Sequence, residues 1–386
     1  MFENPFTPNF GEVPLFAAGR RQVLSEFERA FNSERRKPEL SMLISGARGT
    51  GKTALLSMIA DIAQGSGWVA VNVASVTGML EDCIEQLQHE AAGLLDADQA
   101  VHISSVAVGG VLEFELDSAT DNGNWRTRFG GMLEALNSKD IGVLITVDEV
   151  NPDLDELVQL ASVYQLFVRE SRKVALVMAG LPFSVDALLQ DKSVSFLRRA
   201  QRRDLGRIAD EEVSESIAKT AEYGGKTIGD AALCRATRAA DGFPFMAQLV
   251  GYRAWEFSGD DAVIEDAAVR EGIEYAKREL KQQVLAATYR ELSPGDIAFL
   301  EAMLADRGDS KTGDIAARLK QSASYVCQYR TRLLAAGVIG SRGRGVVGFD
   351  LPCMREYLIE NGHGVPCDFD ERRKAIREAM NNERPV

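Results

Sequence analysis

One eight-residue stretch constrains the fold of this chain more than any other feature, namely Gly46-Ala47-Arg48-Gly49-Thr50-Gly51-Lys52-Thr53. It follows an apolar run at residues 42–45, which is typical of a buried strand, and it leads into a helical pattern over residues 52–64. Glycines let the backbone approach an anion closely, and the helix directs its positive dipole end towards the same point. The order of strand, glycine-rich loop and helix predicts a phosphate-binding loop in an α/β domain.

The residue types in this loop predict a nucleoside triphosphate, with ATP and Mg²⁺ as the expected ligands. Lys52 is expected to neutralise the β- and γ-phosphates, and Thr53 to place its hydroxyl on Mg²⁺. The alternative is a glycine-rich turn with a solvated lysine, which the flanking strand and helix argue against. The predicted nucleotide contacts of this segment are Gly46, Ala47, Arg48, Gly49, Thr50, Gly51, Lys52, Thr53 and Ala54.

The pair Asp148-Glu149 is the second candidate site. It follows residues 141–147, which are nearly all apolar, as in a strand that is buried on both faces. Ligands of open α/β sheets bind at the carboxyl ends of the strands. We therefore expect Asp148 to hold Mg²⁺ and Glu149 to polarise the attacking water as a general base. The alternative is a solvated strand end.

Length and composition limit the kinds of protein that this chain can be. Its 386 residues favour two or three domains. A net charge of −13 argues against a chain that binds polyanions over its whole surface. The five cysteines form no closely spaced pair, residues 1–5 lack signal-peptide character, and no apolar run is long enough to span a bilayer. We expect a cytoplasmic protein that does not enter a membrane.

The pattern along the chain divides it into three predicted domains. Strands alternate with helices up to about residue 203, helical patterns alone follow, and short helices with a glycine-rich ribbon come last. We place an α/β domain with an N-terminal arm at 1–204, a helical lid at 205–288 and a third domain at 289–386. Within the first, residues 101–116 are predicted to form a β-hairpin insertion, and a polar loop is expected around residues 121–124.

The third domain has the pattern of a winged helix-turn-helix. Three helices are predicted at residues 296–305, 311–320 and 322–336, and a ribbon with its tip at residues 341–345 follows. No acidic residue occurs between Ile315 and Phe349, a stretch with six basic residues, which favours binding of double-stranded DNA. The alternative is a module that binds a partner protein. The predicted DNA contacts are Tyr325, Gln328, Tyr329, Arg330, Arg332, Arg342 and Arg344.

These motifs together resemble the AAA+ branch of P-loop NTPases, in particular the origin-recognition and archaeal-type ATPases. The resemblance includes Gly19 and Arg20, which match the adenine-side motif, and it implies a P-loop parallel sheet with a helical lid and a C-terminal winged helix. Asn72 resembles the asparagine that restrains the catalytic glutamate in many AAA+ proteins, or it is an ordinary turn residue at a strand end. Arg198 or Arg199 matches the position of an arginine finger, which acts from the next subunit of a homo-oligomer; a solvated basic surface is the alternative.

Two departures from the AAA+ pattern predict slow hydrolysis or use of ATP as a switch. The strand that ends at Ala179 and Gly180 offers no polar sensor. The segment at residues 242–245 resembles the start of the sensor-2 helix, but it lacks the usual arginine and has Gln248 nearby.

The sequence therefore leaves two candidate functions. The first is an ATP-dependent DNA-binding AAA+ protein, favoured by the acid-free basic stretch. The second is a STAND-like signalling ATPase whose third domain binds a protein, favoured by Arg48 and by the missing sensors.

Overall fold

The computed structural model describes residues 3–9, 11–94 and 121–361, so the hairpin expected at residues 101–116 lies outside the described residues. The chain divides into two compact units. We call residues 9–46 and 51–206 the sheet unit, and residues 1–8, 47–50 and 207–386 the helical unit.

The sheet unit is built on five parallel strands in the order β2-β3-β4-β1-β5. The strands are β1 (Ser41–Gly46), β2 (Val69–Ala74), β3 (Val143–Asp148), β4 (Val174–Gly180) and β5 (Gln201–Leu205). The helices are α1 (Arg21–Phe31), α2 (Lys52–Gly65), α3 (Met79–Ala91), α4 (Asp121–Ser138), α5 (Asp155–Arg169) and α6 (Pro182–Gln190), with 3₁₀ turns at Pro38–Leu40 and Ser195–Arg199.

Apolar side chains cover both faces of this sheet, as the nearly continuous apolar strands predict. One core contains Phe27 of α1 and Ile59 of α2, and the other contains Phe129 of α4 and Leu160 of α5. Each such buried side chain contributes on the order of 1.5–3 kcal/mol. This packing places the carboxyl ends of β1, β3 and β4 along one edge of the sheet.

The polar loop expected around residues 121–124 is wrong, because α4 begins at Asp121. Trp125 and Phe129, which follow directly, are 2% and 0% exposed. Burial of these two rings outweighs the loop preference of the polar residues before them.

The first part of the helical unit is a group of packed helices. They are α7 (Asp210–Tyr223), α8 (Asp230–Ala240), α9 (Pro244–Phe257), α10 (Asp266–Leu280) and α11 (Ala286–Glu291), with a π-helical turn at Lys281–Leu285 between the last two. Two short strands, β6 (Thr227–Ile228) and β7 (Val263–Ile264), pair in parallel.

The last part of the helical unit combines helices with a small antiparallel sheet in the order β8-β10-β9. The helices are α12 (Pro294–Met303), α13 (Thr312–Leu319), α14 (Ala323–Ala335) and α15 (Met354–Asn361), and the strands are β8 (Ser310–Lys311), β9 (Ile339–Gly343) and β10 (Val346–Phe349). The three helices and the ribbon thus occur where the sequence predicts them. In the part of the chain that the structure describes, no helix has the length and apolar character needed to cross a membrane.

Candidate functional site

The glycine-rich loop lies between the end of β1 at Gly46 and the start of α2 at Lys52. Gly49 and Gly51 have φ values of 77° and 79°, which side chains with a Cβ rarely adopt. Lys52 folds back so that its ammonium donates a hydrogen bond of 2.9 Å to the carbonyl of Gly46. The backbone of the loop therefore has the conformation that its glycines predict. The positive charge of Lys52 lies at the carbonyl of Gly46, where the loop begins.

Thr53 and Asp148, the two predicted metal ligands, are in direct contact. The Thr53 hydroxyl donates a hydrogen bond of 2.6 Å to Oδ2 of Asp148, although 95 residues separate them along the chain. Asp148 is the last residue of β3, and β4 lies between β3 and β1 in the sheet. A hydroxyl and a carboxylate oxygen are hard ligands of the kind that Mg²⁺ prefers, so this pair fits such an ion.

Glu149 lies one residue beyond β3, exposed and with a φ of 54°. A left-handed conformation is strained for a residue other than glycine, and the surrounding structure has to impose it. The backbone N–H of Glu149 donates 2.8 Å to Oδ1 of Asp148, and the N–H of Val150 donates 2.9 Å to the carbonyl of Ala179. The turn thus holds Glu149, with an exposed side chain, directly after Asp148.

Ser75 is a residue of this site that the sequence analysis missed. Its backbone N–H donates 3.0 Å to the carbonyl of Asp148, and its hydroxyl accepts 3.1 Å from the N–H of Asn151. It is 5% exposed. Ser75 therefore connects the end of β2 to the residues before and after Glu149. In the sequence, the only indication of this role is its position just after an apolar strand.

Two family models match the chain. Residues 17–178 match a family described as an AAA ATPase domain, and this match includes the loop, Thr53 and the Asp148-Glu149 pair. The parallel sheet of the sheet unit has the P-loop AAA+ fold that this family model describes. Residues 282–358 match a family described as a domain of unknown function, DUF8462.

Solved structures show the same fold. The ORC2 protein of Aeropyrum pernix, solved as ADPNP–ADP complexes, has a TM-score of 0.66 at 11% identity, and the match covers 99% of this chain and 100% of that one. A Walker-type ATPase of Pyrococcus abyssi has a TM-score of 0.61 at 13% identity and covers 89% of this chain and 96% of that one. No curated protein sequence matches this chain. The AAA+ fold predicted from the sequence is confirmed, and an AAA+ domain implies a bound nucleotide with a divalent metal ion.

Within the AAA+ domain, Asn72 is engaged away from Glu149. Its side-chain oxygen accepts 2.7 Å from the hydroxyl of Thr146, and the side chain of Gln86 bonds the backbone N–H and carbonyl of Asn72 at 2.9 and 2.8 Å. Because β2 is an edge strand among the described residues, Gln86 satisfies backbone groups that no other described strand covers. These described contacts favour the structural interpretation of Asn72.

The other AAA+ candidate residues are distributed around the sheet unit. Gly19 has a φ of 66°, and the side chain of Arg20, 7% exposed, donates 3.2 Å back to the Gly19 carbonyl at the start of α1. Arg198 and Arg199 are exposed at the end of a 3₁₀ turn. Nε of Arg198 donates 2.8 Å to the carbonyl of Leu189, which ties that side chain to its own subunit.

The tip of β4 lacks a polar sensor, as the sequence predicts. A Cβ on Gly180 would lie 2.9 Å from Cβ of Val150, so apolar packing closes this position. Gln248, noted near the sensor-2 segment, is 7% exposed and accepts 3.1 Å from the backbone N–H of Thr7. Its amide oxygen therefore serves the N-terminal segment of the chain.

Ion pairs compensate half of the basic residues in the acid-free stretch. Two nitrogens of Arg318 each donate 2.6 Å to the carboxylate of Asp306. Arg332 lies 2.9 Å from Asp296. Arg342 lies 2.5 Å from Asp350, so the acids come from just outside the stretch. The local excess of positive charge in the sequence is therefore smaller in the folded protein.

Helix α14 has one side with exposed uncharged residues, which we call its uncharged surface. Ser324, Gln328 and Thr331 are exposed, whereas the rings of Tyr325 and Tyr329 pack together with centroids 4.5 Å apart. Arg330 is half-buried.

Two further basic residues of the acid-free stretch stay exposed. Among the described residues, neither Lys320, before α14, nor Arg344, at the ribbon tip, has an acidic partner.

Proposed function

We propose that this protein binds ATP with Mg²⁺, hydrolyses it slowly, and uses the nucleotide state to control what its C-terminal region binds. The observation that carries the proposal is the 2.6 Å contact between Thr53 and Asp148 beside the Lys52 ammonium. It supports the proposal because an ammonium and two oxygen ligands of the kind that Mg²⁺ prefers lie at one edge of the sheet.

Each residue has a distinct role in the proposed reaction. Lys52 neutralises phosphate charge, and the backbone N–H groups at residues 46–53 bind phosphate oxygens. Thr53 and Asp148 would hold Mg²⁺, which would supply charge stabilisation when bound. Glu149 accepts a proton as the water oxygen bonds to the γ-phosphorus and the bond to the ADP oxygen breaks.

Slow turnover follows from what the site lacks. The tip of β4 carries Ala179 and Gly180 rather than a polar side chain, and Gln248 is bonded to Thr7. Few groups other than Lys52 and the metal ion are therefore available to stabilise charge on the γ-phosphate.

Nucleotide titrations of single variants test the ATP proposal. Lys52→Ala should lose ATP binding, and Thr53→Ala should keep it but lose most of the effect of Mg²⁺. Lys37→Ala, an exposed lysine in the same unit, is the control and should bind normally. Nucleotide binding by Lys52→Ala at the wild-type affinity would contradict the proposal.

Glu149→Gln separates binding from hydrolysis. The variant should retain ATP and lose turnover, because an amide does not accept the proton from water. Single-turnover release of phosphate measures this, and unchanged release removes Glu149 from the role of base.

For the C-terminal region we propose double-stranded DNA as the partner, with a revised set of contacts. Lys320 and Arg344 supply phosphate contacts, and the polar residues Ser324 and Gln328 face the bases. This assignment rests on the exposure of these side chains, whereas Arg332 and Arg342 are compensated. The same compensation favours the second candidate, a partner protein bound on the uncharged surface of α14.

The salt dependence of DNA affinity distinguishes the two partners. Removing two phosphate contacts in Lys320→Ala/Arg344→Ala should reduce the slope of log affinity against log salt by about two. Lys192→Ala, exposed in the sheet unit, is the control. Equal affinities of the double variant and the wild type would favour the partner protein.

Assembly into a homo-oligomer is part of the same proposal. Arg199 is the preferred arginine finger, because Arg198 is bonded to Leu189. Light scattering with and without ATP measures assembly, and a mass that stays monomeric with ATP bound removes this role.

A further inference from the structure

A short segment near the start of the chain is docked on helix α9. We call Asn4–Thr7 the strap. Phe6 is 2% exposed and meets Trp255 edge-on, with ring centroids 6.4 Å apart at an interplanar angle of 65°. A Cβ on Gly251, inside α9, would overlap the Phe6 ring. Glycine destabilises a helix interior, so its presence here is explained by the slot that it opens for Phe6.

Polar contacts extend the docking along three turns of α9. The N–H of Thr7 donates 3.1 Å to Oε1 of Gln248. The side chain of Asn4 donates 3.2 Å to the carbonyl of Tyr252 and 2.9 Å to Oε1 of Glu256. These bonds satisfy polar groups of the segment that apolar packing alone would leave unpaired.

The same helix contacts the tip of the phosphate-binding loop. Residues 47–50 belong to the helical unit together with α9 and the strap. A Cβ on Gly49 would lie 3.7 Å from Cβ of Phe245, which is van der Waals contact. Phe245 is in the first turn of α9, and Gln248 follows three residues later on the same side of the helix. One helix thus connects the loop tip to the strap.

We propose that the strap is a regulatory device of the nucleotide site. When docked, it holds α9 in place, and Phe245 then supports the loop tip against its bound phosphates. When released, it leaves α9 and the loop tip freer to move, and nucleotide dissociates faster. Docking of four residues through one aromatic ring and a few hydrogen bonds is weak enough for local opening without unfolding of the unit. The inference rests on the proposed function, because it assigns a control element to that site.

The test measures the dissociation rate of a fluorescent ATP analogue by stopped flow. Phe6→Ala, and a deletion of residues 1–8, should release the analogue at least about fivefold faster than the wild type. A peptide of residues 1–9 added to the deletion variant should restore slow release in a saturable manner. Leu15→Ala, which changes an exposed side chain outside the strap, should leave the rate unchanged.

Restoration by the peptide is a result that a merely destabilised protein would not give. If Phe6→Ala does not fold, Asn4→Ala removes only the polar contacts and should still release the analogue faster than the wild type. Wild-type rates in the deletion variant, or no effect of the peptide, would overturn the strap while leaving the ATP proposal intact. A wild-type protein that binds no nucleotide would instead overturn the proposed function.

Discussion

Glu149 shows how a single residue depends on its neighbours for its geometry. Its φ of 54° is strained, and the bonds of Ser75 to residues on either side hold the turn in that conformation. Asp148 has both side-chain oxygens engaged, one by Thr53 and one by the N–H of Glu149. The carboxylate proposed to act as base is therefore held by contacts from two other parts of the chain.

The variant Ser75→Ala tests whether the contacts of Ser75 hold the turn at Glu149. Loss of the bond to Asn151 should cost about 1 kcal/mol and allow the turn to move, which lowers the rate of ATP hydrolysis about fivefold. ATP affinity should stay unchanged, because Ser75 makes no contact with the loop. Ser162→Ala, which removes a local helical bond in α5, is the matched control. A fall in ATP affinity equal to the fall in rate would show that the variant damages the fold rather than the turn.

At the scale of elements, the strand tips are shaped by packing between neighbours. Gly180 ends β4 where Val150 packs against it, and this contact fixes the segment that follows Glu149. Close packing leaves no room there for a methyl group.

Gly180→Ala should reduce the free energy of unfolding by about 1–3 kcal/mol, because the added Cβ overlaps Val150. Gly131→Ala in α4 is the opposite case, since no atom lies within 4 Å of the new Cβ. That helix should gain about 0.5–1 kcal/mol. Urea unfolding of both variants measures the difference, and equal effects would contradict the packing argument.

The ion pairs of the C-terminal region predict a pH dependence. Hydrogen bonds from Arg318 hold the pKa of Asp306 below its usual range. The pair therefore stabilises the folded state fully above the usual aspartate pKa of about 4, and this contribution is lost as the pH falls through the lowered pKa.

The free energy of unfolding of Arg318→Gln, measured at two pH values, tests this direction of the pH dependence. The variant should be less stable than the wild type at pH 6, and the difference should shrink as the pH falls through the lowered pKa of Asp306 and this carboxylate becomes protonated. Arg344→Gln is the control, because no acidic partner of Arg344 occurs among the described residues. A difference that is constant from pH 6 to pH 2 would show that Arg318 acts through packing alone.

At the scale of the whole molecule, the main feature is the division of the chain into the sheet unit and the helical unit. The chain passes from one unit to the other after residues 8, 46, 50 and 206, and two of these points are in the phosphate-binding loop. Ligand binding adds stability to every part of the native state that it requires.

ATP with Mg²⁺ should therefore slow hydrogen exchange in both units of the wild type, for example in α2 and in α9. In the Lys52→Ala variant, ATP with Mg²⁺ should slow hydrogen exchange in neither unit. Protection confined to the sheet unit would indicate that the loop tip does not transmit binding to the helical unit, and it would also weaken the strap inference.

Features that are local in the chain follow from the amino-acid sequence alone. The loop at residues 46–53, the pair Asp148-Glu149 after an apolar strand, and the succession of strands and helices are all readable from neighbouring residues. Glycine conformation, strand burial and helical periodicity act over a few residues, so these predictions needed no tertiary contacts.

Contacts between groups that are distant in the sequence depend on the folded structure. Ser75 reaches the turn at Glu149 because β2 pairs with β3, and Gln248 accepts from Thr7 because the strap folds onto α9. Within the stretch from Arg318 to Arg344, the basic residues have no acidic neighbours in the sequence. In the folded chain, three of them form ion pairs with acidic residues from outside the stretch. Charge acts through space rather than along the chain, so counting residues within a segment overestimated its positive potential.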